Sequence, residues 1–357
     1  MDHAKIISGP LPERYARGWH CVGPALKFKD GKPHTVDAFG TRLAVFQSTD
    51  GKLNALDAWC PHMGGDLSHG RIKGDTVVCP FHGWGFGTDG KVKEIPYCER
   101  LPPKAKVAKW PTLEVNESLY VWHDADGGAP IPGQEIPQIE QLLTPEFSEV
   151  RWAEFAIATN NRELVDNISD LGHFDETHQS RCEYFANLFD GHKATQVMIS
   201  TSRIITTEKQ APLSTHATYF GPAVLLVELV GEWNGNKIET VYILANTPVT
   251  QNSMTIHFGV AVKHQAHLSK AENQAMVDQW VRLQQEALTT DVAIWSNKVR
   301  IDNPILCESD GNIYHARKWY DQFFQPIDKI DPESVKHLEY EKNFGYAGPA
   351  PQRRHLR

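Results

Sequence analysis

Two short runs constrain this chain more than anything else in it: Cys60-Pro61-His62 and, sixteen residues on, Cys79-Pro80-Phe81-His82. Two Cys–His pairs on turns offer two thiolates and two imidazoles, the ligand set of a metal centre. A chain with such a centre has to fold so that both loops meet. The other four cysteines, Cys21, Cys98, Cys182 and Cys307, show no comparable spacing. Six cysteines in 357 residues are sparse, and nothing points to export, so metal-binding or buried thiols are expected rather than disulfides. Cys98 in particular reads as a buried thiol.

Composition narrows the class. Apolar residues at 41% and charged residues at 22% are ordinary for a globular protein with a sizeable core. The balance of 36 basic against 44 acidic residues, net −8, argues against a nucleic-acid partner, which needs a concentrated basic surface. The longest apolar run, near Ala223 to Val230, is far short of the ~20 residues of a membrane helix. The first twenty residues hold no apolar signal core, so a soluble, cytoplasmic protein is expected.

Zinc accepts the same ligand types, but the details favour a [2Fe–2S] cluster. The spacing is C-x-H then C-x-x-H, whereas zinc fingers group Cys with Cys and His with His. Both loops are also glycine-flanked, by Gly64-Gly65 and by Gly83 with Gly85, which lets backbone N–H groups approach cluster sulfides. The arrangement resembles the Rieske motif, in which two Cys hold one iron and two His the other. That resemblance implies Cys60 and Cys79 on one iron, and His62 and His82 on the second.

Around these loops, residues 17–125 read as a small antiparallel β domain. Thr41 to Ser48, the turn Thr49-Asp50-Gly51 and Leu53 to Trp59 form a hairpin signature, and Glu117 to Trp122 is a further strand. Asp124 to Pro137 is dense in Gly, Pro and Asp and reads as a linker. Beyond it come strands at Arg151–Thr159, Ala194–Thr207, His216–Trp233, Lys237–Asn246 and Ser253–Val262, with Asn234-Gly235 as a tight hairpin. A helix-like segment begins at Arg162–Asp170. Lys270 to Lys298 carries apolar residues at helical spacing. The fold class is therefore α+β: an all-β cluster domain at 17–125, an antiparallel sheet with helices, helix-grip-like, at 140–330, and a C-terminal tail at 331–357.

The second constellation is Asp170-Leu171-Gly172-His173-Phe174-Asp175-Glu176-Thr177-His178. Two histidines five apart converge on one metal across a helix end or loop. Two imidazoles and one carboxylate on one face leave open positions for O₂ on Fe(II). D-x-x-H-x-x-x-x-H resembles the mononuclear iron site of Rieske-type oxygenases, whose carboxylate ligand lies downstream on a long helix. Asp291 fits that place: it faces the apolar stripe, with Leu288 at i−3 and Trp295 at i+4, and a carboxylate there needs a partner. Read by itself, Asp291 is equally a helix cap or a solvated residue, and Asp175 and Glu176 are the rival carboxylates. The resemblance further implies that Asp170, otherwise a turn cap, hydrogen-bonds His173 and His82 of the partner subunit, and hence a homotrimer.

No G-x-G-x-x-G follows a strand, so NAD(P)H serves only indirectly, through a separate flavin and iron–sulfur reductase or a ferredoxin. The run from Asp291 through Arg300-Ile301-Asp302-Asn303-Pro304 to Trp319-Tyr320 is similar to the oxygenase components of the 3-ketosteroid 9α-hydroxylase family. That similarity implies O₂-dependent monohydroxylation of an apolar polycycle, a steroid. Asp175-Glu176-Thr177 departs from it, since bulky apolar residues are expected there. Two other readings compete: an oxygenase that hydroxylates or demethylates a smaller aromatic, and an electron-transfer Rieske protein with a binding domain.

Overall fold

The computed structural model describes residues 5–202, 212–307 and 310–356. The cluster domain consists of three small antiparallel sheets. Gly18–Pro24, Ser118–His123 and Thr112–Val115 form one, and His34–Ala38, Thr41–Gln47, Leu53–Asp57 and Lys109–Trp110 the second. The third, Arg71–Lys73, Thr76–Val78, Gly85–Gly87 and Val92–Glu94, carries the second Cys–His loop between its middle strands.

The larger unit is one eight-stranded antiparallel sheet. Its order is Arg151–Ile157, Ser253–Val262, Asn236–Thr250, Val224–Trp233, Leu213–Phe220, Lys193–Ser202, Ser180–Asp190 and Leu338–Asn343. The Asn234-Gly235 hairpin forms as its residue types dictate, with both φ angles positive (50° and 74°). His216–Trp233 is two strands rather than one, because Gly221, at φ 71°, and Pro222 break the ladder between Phe220 and Val224. Of the expected Ala194–Thr207 strand, residues 203–207 lie outside the described residues. The segment 331–357, expected as a tail, supplies the edge strand Leu338–Asn343, which pairs with Ser180–Asp190.

Strand alternation sorts the sheet's side chains to two cores. Val224 and Leu226 face one way, onto Trp19 and Trp122 of the cluster domain, Ile136 of the linker and Ile139 just beyond it. Leu225, Val227 and Leu229 face the other, toward the long helix. Each such side chain contributes roughly 1.5–3 kcal/mol on burial, so the same strands weld the two domains and build a cavity.

Three helices matter here: α1 (His173–His178), α2 (Lys270–Asn297) and α3 (Ile313–Asp321). The start of α2 is fixed by a capping box, Ser269 accepting from Glu272 N–H and Glu272 reaching back to Ser269 N–H. Its buried residues, including Met276, Val277, Trp280, Leu288, Asp291 and Trp295, recur at three- and four-residue spacing. Residue 291 therefore points inward because of where it falls in the helical phase. Arg162–Asp170 forms two 3₁₀ turns instead of an α-helix, with Asn160 capping the first.

Candidate metal centres and substrate cavity

The two Cys–His loops share one backbone design. The carbonyls of Cys60 and Cys79 accept from Gly64 and Gly83 N–H (2.9 and 3.1 Å), and the Cys N–H groups donate to Gly65 and Trp84 carbonyls (2.8 Å each). Gly64 and Gly83 both sit at φ 74°, where glycine is strongly favoured. A Cβ on Gly65 would lie 2.7 Å from Cys79 Sγ, so this loop has to be glycine for the sulfur to be there.

The donor atoms fit the expected cluster. The imidazole rings of His62 and His82 lie 4.5 Å apart, and the Nδ1 atoms of both are buried with no hydrogen-bond partner. Such nitrogens are costly to leave unmade and are free to bind a metal. Burial pushes the Cys60 thiol up to about 11, with the adjacent Cys79 thiol adding to the shift. Among the described residues, the one set of three or more donors within 4.8 Å of one another is His173, His178 and Asp291. The four cluster-loop donors are thus not gathered at a point, as a single tetrahedral ion requires; two pairs suit a two-iron group. His62 stacks on Trp84 at 9°, and Trp84 Nε1 donates to Tyr97 Oη at 2.8 Å.

Cys98, expected as buried, is exposed; it follows the last strand of its sheet and its thiol donates to Arg100 O at 3.2 Å. His69, which lies between the two Cys–His runs, is on the surface (68% exposed side chain), beside Asp66.

The second constellation assembles from three elements. His173 and His178 begin and end α1, which closes on Gln179 in the left-handed region (φ 49°). That reversal sends the chain into the Ser180 strand. Asp291 comes from α2, its Oδ1 3.3 Å from His178 Nε2. Two metal bonds of about 2.1 Å at right angles place their donor atoms about 3 Å apart, so the spacing suits neighbouring ligands on one ion. Asp291 is buried, and an unpaired buried carboxylate costs several kcal/mol. Asp175 and Glu176 share α1 with the histidines but stand outside the triad.

Asp170 Oδ2 is 3.5 Å from His173 Nδ1, and its Oδ1 accepts from Gly172 and His173 N–H. Burial alone would raise this carboxyl, but the bonds from His173 and Gly172 outweigh it and hold it below the usual range. Its side chain remains 38% exposed, within reach of another molecule. Asn167 accepts from Trp295 Nε1 at 3.4 Å, tying the turn before α1 to α2.

A cavity of about 270 Å³ opens from the triad along the sheet. Its floor is read directly from strand register: Gln196, Ala217, Val227 and Tyr242 form one cross-strand row, and Tyr219, Leu225, Leu244 and Phe258 another. The α2 side supplies Leu283, Ala287 and Leu288. The apolar run near Ala223 to Val230 serves both sides of the sheet: Leu225, Val227 and Leu229 line the cavity, while Val224 and Leu226 pack in the core. Asp175, Glu176 and Thr177, the departure noted in the sequence, do not line it.

A strand-built domain with two Cys–His loops, joined to a sheet-and-helix domain with a two-His, one-carboxylate group, defines a Rieske-type mononuclear iron oxygenase. Residues 18–111 match the Rieske [2Fe-2S] domain family, and residues 121–324 match the 3-ketosteroid 9alpha-hydroxylase C-terminal domain family. The chain is 43% identical to a 3-ketosteroid-9-alpha-monooxygenase oxygenase component of Rhodococcus rhodochrous, over 96% of this chain and 89% of that one. It is 41% identical to the component of the same name from Mycolicibacterium smegmatis, over 94% and 90%. The solved structure of dicamba monooxygenase bound to 3,6-dichlorosalicylic acid superposes with a TM-score of 0.71 at 20% identity, covering 88% of this chain and 99% of that one, and shows the shared fold. The chain belongs to the 3-ketosteroid 9α-hydroxylase oxygenase family. It is a Rieske monooxygenase, with a [2Fe–2S] cluster and a mononuclear iron as its cofactors.

Proposed function

We propose that this protein is the terminal oxygenase that hydroxylates a 3-ketosteroid or a close polycyclic relative. The overall reaction is RH + O₂ + 2 e⁻ + 2 H⁺ → ROH + H₂O. With both iron centres in place, the chemistry they supply is one-electron relay and O₂ activation. Cys60, Cys79, His62 and His82 hold the cluster; His173, His178 and Asp291 hold the mononuclear iron. These assignments give the protein its division of labour, a cluster domain at 17–125 and a catalytic domain at 140–330.

The single observation that carries the substrate reading is the cavity. Its long floor of Ala217, Val227, Leu225, Leu229 and Leu244 begins at the triad, and an apolar rigid body fills such a space with few polar demands. The names of the relatives point the same way. Binding displaces water from the cavity, and the sheet row beneath orients one C–H bond toward the triad. A smaller aromatic would leave the far end of that floor uncovered.

Electrons come from a separate flavin and iron–sulfur reductase or ferredoxin, in the cytoplasm. Asp170 bridges His173 to His82 of the partner subunit, so electrons cross between protomers of a homotrimer. Exposed Trp59, Met63, Phe81 and Tyr97 ring the cluster loops and give that contact an apolar surface. Sedimentation of the holoprotein, together with O₂ uptake across 3-ketosteroids and simple arenes, tests the proposal; a monomer, or uptake with arenes alone, contradicts it.

A further inference from the structure

A second cavity, of about 250 Å³, also reaches the triad. The two cavities share a wall of Asn167, His173, Asp291 and Trp295. His178 borders the substrate cavity alone, and Asp170 the second alone. The second cavity is the more polar of the two: beside Ile294, Trp295, Pro304, Leu306 and Ile313, its wall holds the carboxylates of Asp170 and Asp310 and the ammonium of Lys298, which is paired with Glu163 at 3.3 Å and Asp166 at 3.6 Å. Asp166 and Arg317 line it too, but they are locked together by two bonds of 2.8 and 2.6 Å and serve as a fixed partition.

Hydroxylation consumes two protons at the triad, and the substrate cavity is poorly made to deliver them. Beside the triad it offers Ser180 and Ser200, whose hydroxyls bond each other at 2.9 Å. The second cavity is better suited. At ~30 Å³ per molecule its volume holds roughly eight waters, and its charged wall supplies their partners. Asp310 keeps one oxygen on Cys307 N–H at 2.7 Å. Its other oxygen is turned to Gly172, the residue before His173, at 3.9 Å from where a Cβ would stand.

We propose that this second cavity is a water-filled compartment that brings protons to the triad, with the Asp310 carboxylate as its relay; the inference rests on the hydroxylase reading above. Per turnover, one C–H bond and the O–O bond break, while one C–O and three O–H bonds form, one in the alcohol and two in water. The reductase supplies two electrons, and bulk water supplies two protons through the compartment. Asp310 passes a proton inward and regains one from solvent, so it is unchanged over the cycle. Separating wet and dry cavities lets the substrate side exclude water while protons still arrive.

Two kinds of experiment test this. Metal-free crystals under xenon read the cavities without any turnover, since xenon enters dry apolar cavities. Xenon is expected in the substrate cavity and ordered water in the second; Leu306→Trp, which adds bulk to the second cavity's wall, should expel that water. In the holoenzyme with a 3-ketosteroid, Asp310→Asn and Leu306→Trp should lower product formed per O₂ consumed several-fold, release hydrogen peroxide and raise the solvent deuterium isotope effect. Steroid KM, iron content and the cluster spectrum should not change, and Asp310→Glu should restore coupling. Xenon in the second cavity, or wild-type coupling and isotope effects in both variants, would overturn the relay alone. A wild-type enzyme with no steroid-dependent O₂ uptake would overturn the hydroxylase reading and the relay with it.

Discussion

Asp291 Oδ1 lies 3.3 Å from His178 Nε2, although one comes late on a 28-residue helix and the other ends a single short turn of helix. A buried carboxylate and a half-buried imidazole held this close, with His173 beside them, have the geometry of a ligand set. Replacing Asp291 or His173 by alanine should abolish mononuclear iron binding and turnover. The visible spectrum of the cluster, which is held by a separate domain, should be unchanged. Metal analysis with absorption spectroscopy checks this; a variant that retains iron and activity contradicts the assignment.

Asp170 is bonded to His173 yet left partly exposed, a combination suited to linking an internal ligand to an external donor. Asp170→Asn keeps the size and most hydrogen bonds but removes the charge. Both metals should stay bound, while oxidation of the reduced cluster by O₂ and substrate should slow by orders of magnitude. Stopped-flow absorbance measures that rate directly. A wild-type rate would remove the intersubunit route.

Much of the candidate cluster site is legible in the sequence because its four candidate ligands lie on two local loops, each closed by its own glycine. The triad was half local: the His173–His178 spacing is visible, whereas Asp291 is placed by the resemblance to Rieske-type oxygenases, helical phase only setting it on the apolar face of α2. What stayed hidden is assembled only in three dimensions. The second cavity draws Asp310, Leu306 and Arg317 from a loop and from α3, with no periodicity to announce them. The Leu338–Asn343 strand, alternating in burial at a sheet edge, looks polar enough to pass for a tail. Cys98 misleads because a thiol's preference for burial says nothing about a turn that stays on the surface.

The cavity floor offers a steric test of the substrate. Ala217 sits between Gln196 and Val227 in one cross-strand row, so Ala217→Phe projects a ring into the space. Overpacking costs about 1–3 kcal/mol of stability, which melting temperature will report. Steroid KM should rise or turnover vanish with iron content intact, while a single-ring substrate should be less affected. Equal effects on both substrates would place the steroid elsewhere.

The C-terminal residues give a pH dependence. His355 Nδ1 pairs with Thr195 Oγ1 at 2.8 Å, and Leu356 N–H donates to Thr218 Oγ1 at 3.1 Å, seating Leu356 in the core between the domains. Burial, assisted by Lys193, lowers both His355 and His192 to about 4. The unfolded chain titrates near 6.5, so it takes up protons first as pH falls. The stabilisation present above about 6.5 is therefore lost progressively toward about pH 4. Hydrogen exchange at residues 353–356 should accelerate across that window before the cluster spectrum changes. Exchange independent of pH, after correction for the intrinsic rate, would contradict this.

The most direct measurement is a single turnover. Fully reduced protein, loaded with a 3-ketosteroid and mixed with ¹⁸O₂ in the absence of further reductant, should yield hydroxylated steroid carrying one ¹⁸O atom while both iron centres become oxidised. Oxidation of the centres with no labelled product, or product whose oxygen comes from water, would contradict the account.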